Sequence, residues 1–164
     1  MTLQFIPWGK LQRFPQRTTT HSLIGHMTDV AAVMHQLLRL PSTERALRCA
    51  VGHTLTEVDR ARLAVLAFLH DIGKANTGFQ GKYWSDPAQR PVGWHTSRAG
   101  HGAEGWSLFA EYCNGDYAAQ RILSGLPLEA MSCWGDISLD LLHASISHHG
   151  RPVKDQASTA LWTP

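Results

Sequence analysis

The stretch Leu63–Lys74, reading LAVLAFLHDIGK, constrains this chain more than any other. It starts as an apolar helix and ends in an imidazole (His70), a carboxylate (Asp71) and, one turn on, an ammonium (Lys74). Burial of an apolar helix does not require three ionisable groups at its end. The preceding Thr54-Leu55-Thr56-Glu57 reads as a capping box, so a helix is predicted from there to about Ile72, with Gly73 at its end. Neighbouring residues on an α-helix point about 100° apart. His70 and Asp71 would therefore hold one metal ion in the angle between them, with the carboxylate free to reach a second.

Histidine is the compositional outlier, ten in 164 residues, and the others decide what the His-Asp pair means. His26 lies near the start of a helix predicted over 22–40, whose apolar stripe is Leu23, Met27, Val30, Ala31, Met34, Leu37 and Leu38 and which Pro41 stops. Asp29, three residues on, reads as an orienting partner for His26 or as a first-turn carboxylate favoured by the helix dipole. Short helices are expected over 42–51, closed by Gly52, and over 117–123. His101 opens HGAEGWSLFAEY, and the pair His148-His149 ends a last helix beginning around Ser138. With no alternating strand pattern and no repeat, the fold class is all-α, a helical bundle. Converging helix ends are how such bundles build metal sites. Imidazoles with a carboxylate and no thiolate suit iron, manganese, cobalt, nickel or zinc. An open position on such a metal lowers the pKa of bound water and prepares it to attack phosphorus. His21, His35, His53, His95 and His143 read as structural, with His95 the one that competes with His101 as a ligand.

The net charge of +2 permits a nucleic-acid partner without arguing for one. Three widely spaced cysteines with no Cys-x-x-Cys fit a reducing cytoplasm, and the longest apolar run is far short of the ~20 residues that span a bilayer. A soluble cytoplasmic protein with no membrane partner is expected. Residues 1–20 read as an extended N-terminal arm in which Trp8, Lys10, Arg13 and Arg17 interleave an aromatic with cations. Such an arm either contacts a phosphate backbone or packs its apolar residues on the domain. Residues 75–100 show no clear period, and a loop of that length is more often functional than a plain connector. The candidate substrate contacts are Lys82, Trp84, Arg90 and Arg98 from this loop and Arg151 after the last helix.

Taken in order, His26-x-x-Asp29, His70-Asp71-Ile72-Gly73-Lys74-Ala75-Asn76, Phe79-Gln80, His101 and Ser147-His148-His149-Gly150, with the Trp8-Gly9-Lys10 arm, resemble a known family. It is the HD metal-dependent phosphohydrolase superfamily, and more closely the HD nuclease domain of the CRISPR-associated helicase-nuclease of type I systems. The resemblance covers residues 8 to about 152, and it implies an HD-type bundle over 21–164 that hydrolyses phosphodiester bonds of single-stranded DNA. The cofactors implied are two divalent transition metal ions, and the partners a CRISPR surveillance complex and a helicase domain or chain. By position, Asp71 would bridge the metals, His26 and His70 would bind one, and His101, His148 and His149 the other. Lys74 would neutralise charge developing on the phosphate, so Asp71 and Lys74 are the catalytic candidates.

The resemblance also implies another aspartate ligand in a helix beyond the His-His pair. The only later acid, Asp155, sits in a polar stretch and does not match it. On that ground the domain reads as truncated at its C-terminal end and the His26–His70 site as one ligand short. Two alternatives follow: an HD phosphohydrolase acting on nucleotides, and a catalytically inactive HD module docking a surveillance complex.

Overall fold

The computed structural model describes residues 5–94, 99–126, 128, 131, 134, 135 and 137–154. Its described part is mostly helical, with a two-stranded antiparallel hairpin at the start: β1 (Trp8–Phe14) paired with β2 (Arg17–Ser22). The expected arm is therefore extended, but paired, and the all-α reading is corrected by this one hairpin. The β-branched run Thr18-Thr19-Thr20 favours a strand. Every residue of β2 except Ser22 is exposed, so no alternation of apolar and polar residues announces it.

Ser22 ends the hairpin and caps α1 (Leu23–Leu37), its hydroxyl accepting from the Gly25 amide. On α1 Leu23 and Met27 are buried and Val30, Ala31 and Met34 half-buried, as the stripe predicts, whereas Leu37 is exposed. Pro41 does not merely stop that helix; it occupies the first turn of α2 (Pro41–Val51), where its missing amide costs nothing. Gly52, at φ 80°, closes α2.

The central helix α3 (Glu57–Leu69) is shorter than predicted at both ends. Its capping box is formed by Thr56 and Asp59, not Thr54 and Glu57: Asp59 N donates to Thr56 Oγ1 and Thr56 N to Asp59 Oδ2. At the other end the helix stops at Leu69, His70 is its cap, and Asp71 leads a tight 3₁₀ turn over Ile72–Ala75. His70 and Asp71 are thus not successive positions on one helix, and the 100° argument does not apply.

Residues 75–100 contain short helical turns, including α4 (Thr77–Gln80) and single 3₁₀ turns at Gly81–Tyr83 and Pro87–Gln89. The chain then enters α5 (Gly102–Cys113), α6 (Tyr117–Leu123) and α7 (Ile137–Ile146). α1 packs on α3, α3 on α7, and α5 on α6 and α7. Leu66 and Leu69 of α3, Leu108 and Phe109 of α5, and Leu142 and Ile146 of α7 share the main buried cluster. This core fixes the C-terminal end of α3 against the start of α5 and the end of α7, which brings the candidate residues together. No helix among the described residues is long and apolar enough to cross a membrane.

Candidate metal centre

Asp71 sits at the middle of the expected histidine set and is 1% exposed. Its Oδ2 lies 2.9 Å from His26 Nε2, 3.0 Å from His70 Nε2 and 2.5 Å from Lys74 Nζ. Its Oδ1 faces His101 Nε2 at 3.3 Å and His148 Nε2 at 3.8 Å. His149 Nε2 in turn lies 3.0 Å from His101 Nε2. All six expected ligands thus converge from four separate parts of the chain.

Each is placed by local structure. Gly73 has no side chain because there is no room for one. A Cβ there would stand 1.8 Å from the His101 carbonyl oxygen and 2.7 Å from the Gly105 amide, both backbone. This close approach presses the 3₁₀ turn onto the first turn of α5 and sets His101 beside Asp71. Asn76, fully buried, caps α4 with its carbonyl oxygen while its amide donates to the carbonyls of Gly73 and Gly100. Glu104 takes the Gly100 amide from the other side. After α7 the chain turns at Gly150 (φ 78°), whose amide donates to Ser147 O, and Ser147 Oγ accepts from Val153 N. That turn carries His148 and His149. On α7 itself, Ser145 donates to the Leu66 carbonyl of α3.

The hairpin covers the opposite side. Gln80, 1% exposed, binds the Trp8 amide and carbonyl as a neighbouring strand would, and also reaches the Lys74 carbonyl. A Cβ on Gly9 would lie 2.7 Å from His26 Cβ, so β1 runs hard against the base of that side chain. The Gly9 carbonyl accepts from Lys74 Nζ at 3.3 Å. Lys74 is 7% exposed, with its ammonium directed at Asp71 and Gly9 at the base of the cleft.

The donor set fits a cation. Asp71 Oδ1 is buried and accepts no hydrogen bond among the described residues. Burial lowers His148 and takes His101 down to about 4, so both are neutral at pH 7. His148 Nδ1 engages the Ser145 carbonyl, which puts its proton there and leaves a lone pair on the Nε2 that faces Asp71 Oδ1. His70 Nδ1 engages Ala67 O in the same way, 2.7 Å away. Lone pairs aimed at a carboxylate are reconciled by a positive ion between them. Two donor groups, His26–His70–Asp71 and His101–His148–His149, each have their ligand atoms within 4.8 Å of one another. That is close to the spread around one ion with bonds of about 2.1 Å. Burial also lowers His26, helped by the Lys10 charge. Burial alone would raise the Asp71 carboxyl, but the Lys74 ammonium against it holds it well below the usual carboxylate range.

The other expectations divide. Asp29 orients His21, not His26, with its Oδ2 3.0 Å from His21 Nε2, and it lies beyond the first turn of α1. His143 binds the Val153 carbonyl and packs on Trp106, a structural role as read. Lys82 lines a cleft of about 520 Å³ between β1 and the 72–83 turns, with Lys10, Arg13, Lys74, Phe79 and His101. Trp84 packs instead in an aromatic cluster with Phe5, Tyr83 and Trp94. The Arg90 guanidinium lies against Gly81, about 3.1 Å from where a Cβ would be. Arg151 is exposed just past the His148–His149 turn. Arg98, His95 and Asp155 lie outside the described residues.

A family model described as "Cas3, HD domain" matches residues 8–163. The chain belongs to the Cas3 HD-domain family. It is also 33% identical over 142 residues to the CRISPR-associated endonuclease/helicase Cas3 of Thermus thermophilus, a match covering 81% of this chain and 14% of that protein. The chain thus spans a small part of that relative's length. No solved structure matches the chain. Membership places this Cas3-type HD domain among CRISPR-associated nuclease and phosphohydrolase domains, a class that binds divalent metals.

Asn76 and Gln80 are the site residues that residue-by-residue reading did not assign. The signal was present: two amides, four apart, in a stretch that packs to zero and 1% exposure.

Proposed function

We propose that this chain is a metal-dependent nuclease domain that hydrolyses phosphodiester bonds of single-stranded DNA in CRISPR interference. It would act in the cytoplasm with a surveillance complex and a helicase domain or chain. The observation that carries the reading is the buried Asp71 carboxylate, one oxygen turned to His26 and His70 and the other to His101 and His148. His26, His70 and Asp71 would hold one divalent ion, and His101, His148 and His149 the other. When bound, such ions supply Lewis acidity at the phosphoryl group and a nucleophile from water at neutral pH.

The chain's own residues do the rest. Burial keeps His26, His101 and His148 neutral, the form in which imidazole is a ligand. Asp71 stays ionised beside the Lys74 ammonium. Lys74 also fixes the charge and orientation of Asp71, beside the neutralisation of phosphate charge expected from sequence. The cleft beside the centre brings Lys10, Arg13 and Lys82 to the side where a polyanionic strand approaches. Both histidine groups are assembled, which favours activity over the inactive docking alternative. An open cleft favours a strand over a free nucleotide.

The test is cleavage of single-stranded DNA across manganese, cobalt, nickel, iron and magnesium, with Asp71→Ala alongside. Cleavage that Asp71→Ala abolishes supports the proposal. Full metal occupancy with no cleavage overturns it.

A further inference from the structure

The cleft carries positive charge that the metal centre itself does not use. On one wall β1 pairs with β2, but the register slips between Trp8 and Lys10, so Gly9 forms a bulge. Bulges re-aim side chains and recur beside active sites. Here Trp8 is buried on Phe79, with ring centroids 4.9 Å apart, while Lys10 is exposed and lines the cleft. On the other wall the Lys82 ammonium lies 4.1 Å from the centre of the Phe79 ring.

Arg13 fixes the separation of the two walls. Its guanidinium donates to the carbonyls of Lys82 and Tyr83 and to Ser85 Oγ, at 2.6, 2.9 and 2.8 Å. No acid is among the described residues that line the cleft, and the candidate ligand His101 is one of them. Trp8 and Phe79 are only 6% and 8% exposed, too covered to stack on bases. The cleft is therefore built to take a phosphate backbone rather than to read bases. Lys10 directly follows Gly9, which lies against His26 and accepts from Lys74, so it stands beside the centre.

We propose that Lys10, with Lys82 opposite, forms a phosphate-binding subsite for the phosphodiester next to the scissile one. The domain would then require a strand and act poorly on a mononucleotide, which has no second phosphodiester to place there. This rests on the nuclease reading and names the part of the substrate that the hairpin holds.

The experiment is fluorescence anisotropy of a labelled oligothymidylate with the full chain in EDTA, repeated over a range of salt. Lys10→Ala, Lys10→Ala/Lys82→Ala and Lys10→Arg are compared with the unaltered chain. Lys10 is exposed, so its loss should leave the circular dichroism and the metal content as they were. The double variant should bind roughly tenfold more weakly at about 50 mM salt, with a salt slope shallower by roughly 1.4, two single-strand phosphate contacts at about 0.7 each. Lys10→Arg should restore most of the binding. Unchanged affinity and slope in the double variant overturns the subsite. If binding depends on Lys10 but the unaltered chain never cuts the oligomer with any metal, the subsite stands and the nuclease reading falls.

Discussion

Asp71→Asn separates the charge of the central carboxylate from its shape. The Asp71 side chain is 2% exposed and that of Lys74 9%, and their charged atoms are 2.5 Å apart. With the carboxylate neutralised, the Lys74 ammonium keeps the Gly9 carbonyl at 3.3 Å as its main remaining acceptor. Removing one partner of a buried ion pair costs roughly 3–5 kcal/mol, because the other charge is left uncompensated. That is a large part of the roughly 5–15 kcal/mol that holds a typical domain folded. With a urea slope of about 2 kcal/mol/M, the unfolding midpoint of the metal-free chain should fall by roughly 2 M. Asp71→Asn/Lys74→Met should recover at least half of the loss, since neither charge then remains. The assay is urea unfolding in EDTA at pH 7.5, followed by circular dichroism. An Asp71→Asn midpoint equal to or above that of the unaltered chain would refute the reasoning, because the carboxylate would then be a net cost in the metal-free fold.

Three further outcomes follow from the same geometry. Burial lowers His26, His101 and His148, so below their ordinary value of 6.5 the unfolded chain binds protons that the folded chain does not. Metal-free stability should be full above that pH and fall as pH drops from 6.5 towards about 4, where His101 protonates; urea midpoints that rise on acidification would contradict this. Gly73→Ala drives a Cβ into the His101 carbonyl oxygen and the Gly105 amide, so it should cost several kcal/mol, on the order of the largest single-site effects, and abolish metal binding measured by titration. Arg13→Lys removes a three-acceptor fork at the exposed edge of the cleft, so global stability should change by less than about 1 kcal/mol. Amide hydrogen exchange of residues 8–22 should nevertheless rise, and unchanged protection there would show that Gln80 alone seats the hairpin.

The candidate ligands were legible because their signal is chemical. Imidazoles in excess of structural need, beside a buried carboxylate, stand out whatever the exact path of the backbone. The path itself was harder to read. Thr54 and Thr56 look alike as caps, and only the position of Asp59, three residues after Thr56, selects the second. Nothing local in HDIGK distinguishes a continuing helix from a 3₁₀ turn; the turn is dictated by the press of Gly73 on α5, a contact between residues far apart in the chain. The hairpin escaped because its second strand is exposed along nearly its whole length and so lacks a buried face to impose alternation. Spacing offered Asp29 either to His26 or to the dipole of α1, whereas the turn from β2 into α1 delivers His21 to it. The substrate residues were chosen by composition, four from the 76–100 loop and Arg151 after the last helix. Lys10 and Arg13 of the arm read equally as backbone contacts or as packing residues, and only β1 as a wall of the cleft shows that both line it.

The central claim is that Asp71 is shared between two ligand groups. Titration of the metal-free chain with cobalt, followed by calorimetry and visible absorption, tests it most directly. The account predicts two ions per chain, one for each donor group, with Asp71→Ala weakening both together. Binding of both ions unchanged by Asp71→Ala would contradict it.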